Sequence, residues 1–355
     1  MSRIRQEIRE SPAAIRATLE EAAPSAAEAV AMLRSREVRR LHVIGNGTSY
    51  HSSLACATLY RQSAGLDDPA VVARTAGDFL TYRPPLGLGD AVLGISASGE
   101  FRDVVAVAEA LRGSVPFIGV VHVADSSVAR VADQVVTSAG GPSDVPVMTK
   151  TFSATLAAAE LVVLGLLGPQ RAEPMVTAIL QAADHAEAAI EAAVRDVPLI
   201  ADALDGAEHL FVVGSGLAHI AAMEAALKLK EVALLHAEPT ETWEMTSGAS
   251  TVIGPETVVV AIAPNGPGRS ATAEIVRHAA DWGARIVEVG PQQMVPGSLL
   301  LALPSDALED HAPLTAVPPI VLLADELARR RGLDPDRPGW VERYHSQGLT
   351  HIVGV

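Results

Sequence analysis

Three residues in the second half of the chain have the types and spacing to move a proton. Glu224, Lys228 and Glu231 stand at i, i+4 and i+7 within the stretch 219–236, whose apolar residues Ile220, Met223, Leu227 and Leu234 recur at helical steps. On a helix they stack along one strip. A carboxylate fixed beside an ammonium can take and return a proton while the cation steadies negative charge developing next to it. The same strip also describes a solvated face, where each Glu–Lys pair contributes only ~0.2–0.5 kcal/mol.

Two glycine turns in the first half offer a different chemistry. Gly45-Asn46-Gly47-Thr48-Ser49-Tyr50 and Ser96-Ala97-Ser98-Gly99-Glu100 each follow an apolar run and precede a helical one. Hydroxyls and helix-start N–H groups gathered there suit a cluster of anionic oxygens such as phosphate. Taken singly, the same hydroxyls are ordinary helix N-caps. Thr149-Lys150-Thr151 is a third loop of that half, and it carries a cation.

The elements that must position these groups repeat. Apolar strands at 41–44, 71–74, 91–95, 117–121 and 134–137 alternate with helices at about 51–64 and 103–112, which implies right-handed βαβ units and a parallel sheet covered on both faces. The pattern restarts at Leu210: 210–216 echoes 41–47, 257–262 echoes the third strand, 285–289 the fourth and 299–303 the last. The expected fold class is therefore α/β, with two doubly wound, flavodoxin-like domains over 1–195 and 196–355. Around them, 1–10 reads as a charged arm or short helix, and Ser11-Pro12 as the start of a helix to Ala23. The stretch 174–195 reads as an alanine-rich helical connector broken at Asp196-Val-Pro198, and 238–244 as a loop.

Bulk composition narrows the partners. Only 3% of the 355 residues are aromatic and the net charge is -15, which argues against nucleic acid. The single cysteine, Cys56, allows no internal disulfide and fits a reduced, cytoplasmic setting. The N-terminus has no apolar core of a signal peptide, and the greasy stretch 152–167 contains Ser153, Thr155 and Glu160, so no membrane association is expected. The first glycine turn lacks the third glycine of a dinucleotide site and the second strand ends in Arg74 instead of an acid, so no organic cofactor is expected. No Walker lysine loop, no HExxH pairing and no cysteine pair point to a nucleotide or a metal.

Taken together, Gly47-Thr48-Ser49-Tyr50-His51, Ser96-Ala97-Ser98-Gly99-Glu100, Thr149-Lys150-Thr151-Phe152 and the Glu224–Glu231 helix resemble the sugar isomerase (SIS) family. The chain is similar throughout to the isomerase half of glucosamine-6-phosphate synthase and to stand-alone sugar-phosphate isomerases, deaminases and deglycases. The resemblance implies that Gly47, Thr48, Ser49, Ser96, Ala97, Ser98, Lys150 and Glu224 surround the substrate. It also implies that Glu231 moves a proton between C1 and C2 of a C6-anionic hexose, with Lys228 beside it. No cofactor or metal would be needed, the expected partner is a small anionic sugar, and a homodimer is expected. No glutaminase activity is expected, because the N-terminal cysteine nucleophile is absent. Where the family's phosphate loop has an amide and a hydroxyl, this chain has Ala97 and Phe101, which leaves a less charged anion such as a sulfonate open. Ser247 stands where the family has its ring-opening histidine, so His345 and, less so, His236 are the candidates for that step, and Arg343 stands at the position of the family's tail lysine, as a further catalytic candidate. A deaminase or deglycase, or a non-catalytic sugar-phosphate sensor, stays open as an alternative.

Overall fold

In a computed structural model, which describes residues 1–207 and 209–346 (only the backbone at 345 and 346), the chain divides into two compact units. The amino-half unit is Ala13–Leu180 with the tail from Trp340; the carboxyl-half unit is Met1–Pro12 with Gln181–Gly339.

The amino-half unit carries β1 (Arg40–Gly45), β2 (Ala70–Thr75), β3 (Asp90–Ile95), β4 (Phe117–Val121) and β5 (Gln134–Thr137), all parallel, in the order β2-β1-β3-β4-β5. The carboxyl-half unit carries β6 (His209–Gly214), β7 (His236–Glu241), β8 (Thr257–Ile262), β9 (Arg285–Gly290) and β10 (Leu299–Ala302), in the order β10-β9-β8-β6-β7. Read from its other edge, the second sheet has the strand order of the first, so both halves are doubly wound α/β sheets as the sequence repeat predicts. In each unit the order reverses beside the first strand, between β1 and β3 and between β6 and β8. The central strands β3, β4 and β8 are buried along their whole length, which is why they read as unbroken apolar runs. Phe79, Val104, Val107 and Phe117 fill one layer of the first unit; Phe211, Met245, Val259, Val276 and Ile286 fill the equivalent layer of the second.

Three expectations are corrected. β7 is a strand, although 238–244 reads as a loop. It lies at the sheet edge, where Pro239 removes no needed donor, and only Ala237 and Thr240 are buried along it. The preceding helix, Gly216–Ala233, ends at Leu234 in a left-handed conformation (φ 51°), and His236 opens β7, where its ring meets that of His209 edge to face. Ser11-Pro12 starts no helix: one helix runs Arg3–Glu21 through Pro12, and Ile4, Ile8, Ala14 and Ile15 on either side of it are buried. Likewise Pro198 lies inside the helix Pro169–Ala203 among buried Val197, Ile200 and Ala201. A proline inside a helix costs about 3 kcal/mol, which burial of several aliphatic side chains offsets.

The first turn of the helix Arg3–Glu21 is fastened within the carboxyl-half unit. Arg5 pairs with Asp325 and Glu326 (both 3.1 Å), and Asp336 accepts the backbone N–H groups of Arg3 (2.8 Å) and Ile4 (2.9 Å). Lys150–Gly165 is buried almost all round, a core helix of the amino-half unit. Among the described residues no helix is long and apolar enough to cross a membrane.

Candidate functional site

The two hydroxyl loops meet the crevice that strand reversal creates between β1 and β3 in the amino-half unit. Gly47 has φ 51°, ψ −125°, and from it the helix Thr48–Arg61 departs with Thr48 and Ser49 buried in its first turn. Gly45 cannot carry a side chain: a Cβ there would lie 2.6 Å from the backbone of Ser49. Asn46 ties the turn to its neighbours. Its Oδ1 accepts from Ala76 N (3.1 Å) and Gly77 N (3.4 Å), and its Nδ2 donates to Asp103 Oδ2 (3.1 Å). Asn46 is a site-building residue the sequence reading passed over; its signal was an amide between two glycines. Gly45→Ala is expected to displace Ser49 and, as overpacking typically does, to lower stability by ~1–3 kcal/mol, read as a drop in Tm.

After β3 the chain turns through Ser96 and Ala97 into Ser98-Gly99. Gly99 N donates to Ser96 O (2.9 Å), and Glu100 N donates to Ser98 Oγ (3.2 Å). Gly99 (φ 65°) lies against Ser126, whose hydroxyl a Cβ would strike. The carbonyl of Ala97 accepts from His122 N (2.9 Å) and Val123 N (3.1 Å), so this loop's path is fixed by backbone bonds. Phe101 is packed against the Phe79–Phe117 core, which accounts for an apolar residue where the family has a hydroxyl. Glu100 turns away and caps Ser127 through its N–H (2.8 Å) and hydroxyl (2.7 Å). Lys150 is buried at the first turn of its helix between buried Thr149 and Thr151.

The strip of Glu224, Lys228 and Glu231 belongs to the carboxyl-half unit. Glu224, Lys228 and Glu231 do lie on one face of the helix Gly216–Ala233, but the face is no solvated strip. Lys228 Nζ reaches Glu224 Oε1 at 3.2 Å and Glu231 Oε2 at 2.6 Å. The lysine and Glu224 side chains are essentially inaccessible, whereas Glu231 keeps 26% of its side chain exposed. Burial, the largest single influence on Lys228, favours the neutral amine, yet the two carboxylates outweigh it and hold its pKa above the ordinary lysine value. The arrangement is a sealed ammonium with one buried and one solvent-facing carboxylate. The solvent-facing carboxylate is placed to exchange a proton with a ligand.

Ser247 and Glu244 lie exposed in a short 3-10 turn after β7. Arg343 is exposed on the helix Gly339–Ser346, where Trp340 and Tyr344 stack edge to face. His345 belongs to the same helix, and its side chain lies outside the described residues.

Comparison with known proteins now bears on this geometry. The SIS domain pattern matches residues 35–165 and 203–290, one stretch in each unit. The chain belongs to the SIS domain family. It is 30% identical over 347 residues to the glutamine–fructose-6-phosphate aminotransferase (isomerizing) of Gloeobacter violaceus, a match covering 94% of this chain and 56% of that protein. The chain thus spans about half the length of the curated relatives it matches. Its fold is shared with the C-terminal domain of glucosamine-fructose-6-phosphate aminotransferase from Francisella tularensis (TM-score 0.82, 20% identity, 95% of this chain and 98% of that one). It is shared as well with tagatose-6-phosphate ketose/aldose isomerase from Escherichia coli (TM-score 0.78, 18% identity, 95% of each chain). This SIS-family chain is therefore homologous to sugar-phosphate isomerase domains.

Proposed function

We propose that this SIS protein interconverts the aldose and ketose forms of a hexose carrying an anionic group at C6. The observation that carries the reading is the clamped lysine, held between buried Glu224 and the solvent-facing Glu231. Burying an ion pair is weak as a stabilising device, because desolvation offsets most of the attraction. Holding a carboxylate in one orientation is a use that does repay such an arrangement.

In the proposed reaction the anionic group rests, within the amino-half unit, on Thr48, Ser49, Ser96 and Ser98, with the N–H groups of the Gly47 and Ala97 turns around it and Lys150 in support; Glu224, in the carboxyl-half unit, holds Lys228 in place. Glu231 takes the proton from C2 of the open-chain aldose and returns it to C1, while the O2 hydroxyl proton passes to O1 through the enediolate, leaving the carbonyl at C2. Lys228, sealed from solvent, acts through Glu231 by fixing its position and by adding positive charge near the enediolate. Ring opening is proposed for His345 of the tail, with His236 as the second candidate and Arg343 at the position of the family's tail lysine. The loss of donors at Ala97 and Phe101 favours an anion that demands fewer hydrogen bonds, which makes a hexose 6-sulfonate a substrate to test alongside the 6-phosphates. A homodimer is part of the proposal, and a monomer in light scattering would count against it.

The test is proton NMR in D2O with aldose and ketose 6-phosphates, their 2-amino derivatives and a 6-sulfonate. Deuterium entering C1 or C2 with conversion of one sugar supports the isomerase. Ammonia release from the amino sugar would point to a deaminase instead. Saturable binding with no exchange in any sugar would mark the chain as a sensor.

A further inference from the structure

The carboxyl-half unit repeats the strand order of the amino-half unit, so it has a strand-reversal crevice of its own between β6 and β8. The loops beside that crevice are glycine-rich in the same way. Gly214-Ser215-Gly216 leads from β6 into the helix Gly216–Ala233, and Ala263–Gly268 leads from β8 into the helix Arg269–Asp281. A carboxyl group of the chain itself already lies against these loops.

Glu309 reaches it from a short 3-10 turn after β10. Its Oε2 accepts the backbone N–H of Gly268 at 3.1 Å. Its Oε1 lies where a Cβ on Gly216 would be, and a Cβ on Gly266 would come within 2.5 Å of both Cβ and Oε2 of Glu309. The backbone delivers the side chain there. Asn265 N donates to Ala307 O (3.0 Å), and Glu309 N donates to Asn265 O (2.8 Å), so the segment 307–309 is zipped onto the loop as a parallel bridge. The one hydroxyl of the first loop, Ser215, is taken as well: it donates to Glu241 Oε1 at 3.1 Å. In the amino-half unit the acids that follow the second loop point elsewhere, Glu100 to Ser127 and Asp103 to the Asn46 amide.

We propose that Glu309 is a resident anion, whose carboxylate fills the β6/β8 crevice of the carboxyl-half unit and keeps external oxyanions out of it. The two repeats then divide their labour: one accepts the substrate's anionic group, and the other is closed by its own side chain. The second clause rests on the function proposed above; the occupancy of the crevice by Glu309 does not. Partial burial, the leading influence, raises the Glu309 pKa together with the neighbouring Asp310 charge, against the opposing pull of the Gly268 N–H.

The experiment is a titration of the full chain with inorganic phosphate, followed by backbone amide NMR. In the unaltered protein the amides of Gly216 and Gly268 are expected to stay still. In Glu309→Ala they are expected to shift saturably, and calorimetry is expected to count one phosphate more than in the unaltered protein. Should the alanine variant fail to fold by circular dichroism, Glu309→Ser empties the same space with a residue that a turn tolerates, and it is read in the same way. A folded variant with no added shift and no added equivalent overturns the proposal, as does a saturable shift at Gly216 and Gly268 with Glu309 in place. The amides of Gly47, Thr48 and Gly99 report on the amino-half crevice in the same titration, so failure of the substrate-site reading shows separately.

Discussion

Glu231→Gln is expected to leave a folded protein that no longer exchanges substrate hydrogen with solvent, with turnover lowered by ~10²–10⁴-fold or more. The amide has the shape of the carboxylate and still accepts a hydrogen bond from Lys228, which now sits 2.6 Å from Glu231. What it loses is the ability to hold a proton between C2 and C1. Because Glu231 is partly exposed, the change demands little repacking, and the melting temperature is expected to move far less than the rate. NMR in D2O is the decisive measurement: a variant that incorporates deuterium at the unaltered rate removes Glu231 from the role. The neighbouring positions are poorer probes. Lys228→Met would leave Glu224 buried without its cation, and breaking a buried pair in that way costs ~3–5 kcal/mol. Loss of activity there would not separate chemistry from unfolding.

The second large effect is on stability and comes from the other unit. Glu160 is buried in the helix Lys150–Gly165, and among the described residues its Oε2 has no hydrogen-bond partner. Burial alone pushes its pKa from 4.5 to about 8, and the carboxyl in turn helps raise the pKa of the buried Cys56 thiol, for which burial is the larger cause. The sign follows from proton uptake. Below pH 4.5 the folded and unfolded chains both hold the proton and Glu160 has no effect. Between there and pH 8 only the folded chain holds it, so stability falls by about 1.4 kcal/mol per pH unit. Above pH 8 both release it, and the penalty levels off at several kcal/mol. Glu160→Gln cannot ionise. Its melting temperature is expected to decline less than that of the unaltered protein between pH 5 and pH 9, with the gap widest at the alkaline end. Parallel pH profiles for the two proteins would show that the buried acid is not the source.

How far these features were legible depended on how local their causes are. β3, β4 and β8 are buried on both faces, so their apolar runs carried the whole signal. β7 is polar, contains Pro239 and is a strand because β6 pairs with it, which no local pattern records. Pro12 and Pro198 were read as boundaries because local backbone rules favour that, and tertiary burial overrode them. At the site, helical spacing was enough to align Glu224, Lys228 and Glu231. It could not show that the lysine is sealed, because that depends on what covers the helix. Glu309 was invisible in the sequence: an isolated acid gains meaning only when a loop about forty residues earlier folds under it.

The discontinuity of the two units has a consequence for synthesis. Residues 1–12 are made more than 300 residues before their partners Asp325, Glu326 and Asp336. At ~5–20 residues per second the wait is on the order of tens of seconds. During that interval Ile4 and Ile8, buried in the finished protein, have no finished unit to enter. The amino-half sheet can close while the chain is still growing, whereas the unit that bears Glu231 can be completed only once Asp336 has been made. A nascent chain stalled before Asp325 would therefore expose the greasy helix turn of Ile4 and Ile8 for a chaperone to hold.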